Sequence, residues 1–213
     1  SQLSPYLHFG QISPLRIALT VKRARAPAAD RAAFLEELIV RRELALNFVE
    51  RTPRYDRYDA LPGWARATLA KHRADPRAHR YSAPELEAAA THDPWWNAAM
   101  REAKYTGYMH NHMRMYWGKK ILEWCATPEY AYRVAITLNN RWFLDGRDPS
   151  SWANVAWLFG LHDRPWGERA VYGSVRSMSA AGLERKHDMA AYARRVERQV
   201  AAARRAGVML DGD

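Results

Sequence analysis

Cysteine is all but missing. Cys125 is the single one in 213 residues, which excludes an internal disulfide, a cysteine-rich zinc site and a four-cysteine iron–sulfur cluster built by this chain. A reducing compartment suits that composition. No apolar run reaches the roughly 18 residues of a membrane span, and no charged-then-apolar leader follows Ser1, so no membrane partner is expected. The chain also lacks G-x-G-x-x-G, a phosphate loop ending in Gly-Lys-Ser/Thr, H-E-x-x-H and G-x-S-x-G, and we expect no metal. Acidic residues are the scarcer charge: 23 Asp and Glu against 33 Lys and Arg leave a formal +10, which favours a polyanionic partner, nucleic acid first.

Enough apolar residues are present, 48%, to bury a sizeable core. They recur every three or four positions, and alternating strand patterns are almost absent, so the fold class is all-α. Helices are predicted over Pro14–Ala26, Ala29–Arg51, Gly63–Ala74, Ala83–Ala90, Pro94–Tyr105, Tyr108–Cys125, Pro128–Leu138 and His187–Ala206. In the second, Phe34, Leu35, Leu38, Ile39, Leu46 and Phe48 should face inward. Ser13-Pro14, Asp93-Pro94 and Thr127-Pro128 each set a capping residue before a first-turn proline. Asn140–Met178, rich in glycine, proline and tryptophan, reads as a long irregular segment of the kind that often carries function. From Arg164 to Arg205 there are ten Lys or Arg against four acids, either a solvated helix or an anion-binding face.

The residues that could carry chemistry are mostly aromatic or charged. Nine tryptophans, eleven tyrosines and five phenylalanines stand out, although most large aromatics simply fill cores. Trp117 and Trp124 lie two turns apart on one helix face, a core stripe or a route for single electrons. Arg114, among apolar neighbours, calls for a carboxylate partner. Glu37 has Arg41 one turn on, an ordinary surface pair. His110 and His112, two apart, should point to opposite sides of their helix.

Several ordered segments resemble one family. Ser1-Gln2-Leu3-Ser4-Pro5-Tyr6-Leu7-His8-Phe9-Gly10 is similar to the flavin-phosphate segment of DNA photolyases and cryptochromes. Glu37-Leu38-Ile39-Val40-Arg41-Arg42-Glu43-Leu44, Met109-His110-Asn111-His112-Met113-Arg114-Met115-Tyr116-Trp117, Leu144-Asp145-Gly146-Arg147-Asp148-Pro149, His162-Asp163-Arg164-Pro165-Trp166 and Gly173-Ser174-Val175-Arg176 resemble the class II cyclobutane pyrimidine dimer photolyases. The likeness runs from Ser1 to about Tyr192 and implies the helical FAD-binding domain of the photolyase/cryptochrome family. Residues 1–213 would be the C-terminal part of a longer chain, 186–213 a basic helix and tail, and an upstream α/β domain would carry any antenna chromophore.

That resemblance implies a carbon–carbon lyase that repairs dimer-containing double-stranded DNA with light and reduced FAD, acting as a monomer in the cytoplasm beside a bacterial nucleoid, or in a eukaryotic nucleus. By position, Ser1, Leu3 and Ser4 would hold the FAD diphosphate, Arg114 and Asp145 would pair beside the flavin, Asn139 would face its N5 region, and Gly146 and Arg147 would follow its edge. Glu37 would hydrogen-bond the dimer. Arg41, Asn111, Met115 and Trp157 would line the lesion side, with Arg164, Trp166 and Arg176 in the gap that the dimer leaves on flipping out. Trp117, Trp96 and Trp124 would carry electrons to the flavin, with Tyr116 and Tyr81 as lesser members. Val40 and Arg41 depart from the class I pattern, which has a tryptophan three residues after the glutamate, so one lesion wall would be lost or charged. A cryptochrome-type photoreceptor and a plain basic nucleic-acid-binding module are the alternative functions.

Overall fold

The computed structural model describes residues 2–208 and Leu210. Twelve α-helices account for nearly all regular structure among the described residues, and the one β-bridge, Arg169 to Gly173, stands alone. Helices α1 (Ser4–His8), α2 (Pro14–Arg23) and α3 (Ala28–Leu35) lead into α4 (Arg42–Arg51) and α5 (Gly63–Lys71). Then come α6 (Ala83–Glu87), α7 (Pro94–Thr106), α8 (Asn111–Trp124) and α9 (Pro128–Trp142), and finally α10 (Pro149–Leu158), α11 (Ala180–Glu184) and α12 (Met189–Arg205).

Local chemistry explains most boundaries. Ser13, Asp93 and Thr127 accept backbone N–H groups at the starts of α2, α7 and α9, each before a proline that needs no partner there. Ser82 and Glu85 form a reciprocal capping box on α6. Gly107 closes α7 at φ +66°, where a Cβ would lie 2.4 Å from the Leu144 side chain.

Five expectations need correction. The 140–178 segment is not irregular throughout: α9 runs on to Trp142 and α10 occupies Pro149–Leu158, started by the Asp148-Pro149 cap. Helix 29–51 is not uniform, because Glu36–Arg41 forms a π turn between α3 and α4, its extra residue shifting the faces. That shift leaves Ile39 44% exposed rather than inward, and sets Arg41 near Glu36 at 3.6 Å instead of Glu37. His110 precedes α8 as its cap, so the opposite-sides rule for residues two apart does not hold: both His110 and His112 lie beside His187.

Two apolar clusters result. The larger, centred on α7, α8 and α9, buries Trp96, Met100, Tyr116, Trp117, Ile121 and Tyr132 completely. The smaller joins Ile17, Ala18 and Leu38 with Leu3, Leu7 and Phe34. Helix α12 is locked across α7 by Glu102, a fully buried carboxylate that accepts the Tyr192 phenol at 2.6 Å and lies 2.9 Å from the Arg195 guanidinium. Burial and the adjacent carboxylate push the Tyr192 phenol well up. Tyr192→Phe, which leaves that carboxylate short of a donor, should cost about 1.5–3 kcal/mol in a urea unfolding titration; a loss within a few tenths would remove the lock.

Candidate functional site

A cavity of about 520 Å³ opens between the two clusters, within the roughly 300–1,000 Å³ usual for ligand clefts. Leu3, Leu7, Phe34 and Leu38 line it from the smaller cluster, Ala45, Trp117, Val155 and Leu158 from the larger. The two sides are tied at one edge by His8 on α1, whose Nδ1 lies 3.2 Å from the carboxylate of Asp148, the cap of α10.

Its polar lining converges from distant parts of the chain. Arg114 on α8 meets Asp145, in the loop after α9, with Nη2 to Oδ1 at 3.1 Å and Nη1 to Oδ2 at 3.4 Å. Both side chains are less than one-fifth exposed, and the guanidinium lies 4.0 Å over the Phe143 ring. The pair satisfies the need for a carboxylate read from the sequence. Arg114 Nε is buried and finds no partner among the described residues. A donor left idle at a cavity wall is open to a ligand.

Asn139 on α9 reaches the same space, 1% exposed, and its Nδ2 donates to Ser151 Oγ on α10. Gly146 has to be glycine: a Cβ would meet the Phe143 and Asn139 carbonyl oxygens at 2.8 and 2.9 Å. Gly146 and Arg147 do not line the cavity. Arg147 takes φ +70° and turns its guanidinium to the Asn140 carbonyl, 2.8 Å away, so these residues shape the loop that carries Asp145.

The opposite wall begins at the π turn. Glu37 and Arg41 both line the cavity from it, and Asn111 and Met115 on α8 and Trp157 on α10 line the same cavity. Outside the mouth, Trp166 is 41% exposed between the guanidinium carbons of Arg176 and Arg164, at 4.8 and 5.6 Å from its ring. Asp163 holds this corner by accepting the Arg164 N–H at 2.9 Å and the Trp166 indole at 3.3 Å. Two cations flanking one exposed ring suit an anion that also offers a flat face.

Behind the cavity runs a chain of rings. Trp117 stacks on Trp96 with centroids 6.4 Å apart and planes 8° from parallel, and Trp96 meets Trp124 edge-on at 5.6 Å. Trp117 and Trp124, paired in the sequence by helix spacing, are thus connected through α7. The Trp96 indole donates to the Trp117 carbonyl at 2.9 Å, which fixes the stack.

Of the expected residues, Leu3, Ser4, Glu37, Arg41, Asn111, Arg114, Met115, Trp117, Asn139, Asp145 and Trp157 all line one cavity. Trp96 and Trp124 lie behind it, Arg164, Trp166 and Arg176 beside it, and Ser1 falls outside the described residues. Sequence reasoning missed Phe34, Arg42, Asp148, Ser150, Ser151, Asn154, His162 and Asp163 in the lining. The Asp148-Pro149 start of α10 was one signal for that group, and Arg42, His162 and Asp163 fall in segments that resemble the family. It also missed Lys119, whose buried Nζ donates to the Leu158 carbonyl beneath the cavity and whose ionisation burial pulls down to about 7.

No protein-family model matches the chain. It is similar to curated proteins named deoxyribodipyrimidine photo-lyase. That of Methanothermobacter thermautotrophicus is 55% identical over 196 residues, 92% of this chain and 43% of the relative. That of Oryza sativa subsp. japonica is 52% identical over 200 residues, 93% of this chain and 40% of the relative. The Arabidopsis thaliana protein is 48% identical over 194 residues, 90% and 39% of the two chains. The chain spans about two-fifths of the length of these relatives.

Proposed function

With the chain placed by homology in the deoxyribodipyrimidine photo-lyase family, we propose that it takes part in light-driven splitting of cyclobutane pyrimidine dimers in double-stranded DNA, with reduced FAD as the coenzyme. The observation that carries this reading is a single cavity lined by two unlike sets of groups. One set is a buried ion pair, an idle guanidinium N–H and a buried amide. The other is a carboxylate, a thioether and an indole.

When bound, FAD supplies the excited electron that opens the cyclobutane ring, and the protein supplies position and electrostatics. Ser4 and the Leu3 backbone, with Ser1, would hold the diphosphate, and Arg114, Asn139 and Asp145 the flavin. The free Nε–H of Arg114 suits an electron-rich acceptor. Asn139 suits a ring whose nitrogens change between donor and acceptor, because an amide offers both roles. Asp145 keeps Arg114 from presenting a full uncompensated charge inside the protein.

Met115 and Trp157 would pack on the lesion, and Glu37 would hydrogen-bond its bases. Photolyases are among the enzymes that draw their target out of the duplex, and a dimer that stacks badly costs less to extrude. Arg164 and Arg176 would bind phosphates beside the emptied site, with Trp166 against exposed bases. Such contacts weaken with salt. Val40 stands where a flat wall would otherwise be, and Arg41 next to it makes this side of the pocket cationic. A repair role would keep the protein with the genome, as a monomer in cytoplasm or nucleus.

The reading is tested on full-length protein, which should purify coloured with bound flavin and restore dimer-containing DNA under blue light. A folded, colourless preparation would defeat it. Glu37→Ala should keep its flavin yet lose about an order of magnitude in dimers split per absorbed photon, on the scale of one hydrogen bond to a charged group, roughly 1.5–3 kcal/mol. An unaltered yield would remove Glu37 from the lesion.

A further inference from the structure

The corner made by Arg164, Trp166 and Arg176 is built on a turn that is held from outside. Arg169 and Gly173 exchange backbone hydrogen bonds at 2.9 and 2.8 Å, and the Trp166 N–H donates to the Ser174 carbonyl at 2.8 Å. Between them Val171 takes φ +67°, a left-handed conformation that strains a β-branched residue. Helix α5 and its exit supply the hold. Thr68 Oγ1 accepts the Ser174 N–H at 2.9 Å, and Asp75, just past the helix, accepts the Val171 N–H at 2.9 Å. Gly173 lies so close to α5 that a Cβ would come 2.2 Å from Thr68 Oγ1 and 3.0 Å from His72 Cδ2.

One side chain joins these pieces. His72, the C-cap of α5, has Nδ1 2.6 Å from Asp75 Oδ2 and Nε2 2.7 Å from Oε1 of Glu168, a residue two positions after Trp166. An ionised carboxylate can only accept, so both ring nitrogens must donate, and that takes the doubly protonated imidazolium. A neutral ring would set one bare nitrogen against a carboxylate oxygen. The positive ring also suits its place at a helix C-terminus. Lys71 adds a second grip on Glu168 Oε1 at 2.7 Å.

We propose that His72, as an imidazolium, is a positioning residue for DNA: it clamps the 166–174 turn onto α5 and so sets Trp166 and its two arginines for a duplex with an emptied site. This rests on the function proposed above. His72 does not line the cavity, so its effect reaches the DNA only through the turn. Loss of its proton opens one of the two grips. Binding to duplex then weakens while the cavity itself is unchanged.

The charged groups facing His72 are Glu168 from the turn, Asp75 from the exit of α5, Lys71 beside Glu168, and Arg77 beyond Asp75. Hydrogen bonds to Glu168 and then to Asp75 hold its ionisation above the ordinary histidine value, against the loss of water around the ring. The Val171 N–H and then His72 hold Asp75 below the usual carboxylate range, and Lys71 and then His72 do the same for Glu168. A raised histidine value means that the clamp is complete below about pH 6.5, down to where the carboxylates take up protons, and is lost as pH rises through that raised value.

The test uses flavin-loaded, full-length protein and two probes, a duplex carrying a cyclobutane dimer and the same dimer in a single strand. His72→Gln, which keeps a donor but no ionisable ring, should bind the duplex about tenfold more weakly near pH 6.5, on the scale of one lost hydrogen bond to a charged group. Its flavin content and its affinity for the single-stranded dimer should match the parent. In the parent, duplex affinity should decline through the midpoint that nuclear magnetic resonance reports for the His72 ring, a step that His72→Gln lacks; histidines elsewhere are common to both proteins. Glu168→Gln should move that step and the ring midpoint to lower pH together. Equal losses on both probes, parental duplex binding by His72→Gln, or a step that does not follow the ring midpoint in Glu168→Gln would overturn the proposal. Protein that holds flavin but prefers neither probe to undamaged DNA would overturn it together with the function on which it rests.

Discussion

Replacing Trp96 by phenylalanine is expected to abolish light-driven reduction of the oxidised flavin while leaving dimer splitting by chemically reduced protein in place. Trp96 touches neither wall of the cavity. It lies between Trp117 at 6.4 Å and Trp124 at 5.6 Å, centroid to centroid, and is fully buried. A benzene ring fills most of the same volume but is far harder to oxidise than an indole, so the replacement interrupts the path with little change in packing. The cost in stability should stay near the 1–3 kcal/mol of an imperfect core swap. The measurement is flavin absorbance under blue light with a thiol, set beside a repair assay on dithionite-reduced protein. Equal loss in both assays would mean that Trp96 serves the structure and not an electron path.

Asp145→Ala should be the most damaging single change at the cavity. It strands the Arg114 guanidinium, whose side chain is only 16% exposed, above the Phe143 ring. Removing one partner of a buried pair costs about 3–5 kcal/mol, a large part of a domain's stability. Protein that still folds should come through purification without flavin. Loss of flavin through unfolding and loss of a contact are separated by Arg114→Met combined with Asp145→Leu. That pair removes both charges and should recover most of the stability, since apolar replacements of similar volume are often neutral or better. A stable, colourless double variant would assign the ion pair to coenzyme binding; a stable double variant that keeps its flavin would leave it a structural role only.

Much of the molecule could be read from short stretches of chain. The starts of α2, α7 and α9 are set by a side chain and a proline within three residues, so each was legible. Asp148-Pro149 is the same signal and starts α10, but the glycines and tryptophans around it suggested a loop. The π turn had no such mark. Glu36–Arg41 has ordinary helix-forming composition, and the segments on either side of it pack on different partners, α3 on α2 and α4 on α10. Ile39 and the Arg41 partner were misplaced for that single reason.

The site shows the same division. A buried arginine's need for a carboxylate follows from desolvation alone, whichever acid supplies it. That the acid is Asp145, 31 positions away, came from the likeness to a family and is met by the geometry. Ser151 beside Asn139, Asp163 under Trp166 and His92 on Tyr81 had no sequence spacing to announce them.

From the sequence by itself came the helical class, the excess of positive charge, the aromatic surplus and the ordered segments shared with a known family. These depend on composition, on periodicity and on residues close together in the chain. Only the tertiary structure decided that two apolar clusters have a cavity between them, that Trp96 joins Trp117 to Trp124, and that the Tyr81 phenol meets the His92 ring. Each of those is a meeting of side chains from separate helices and loops, and packing in three dimensions sets such meetings where local preference has no hold.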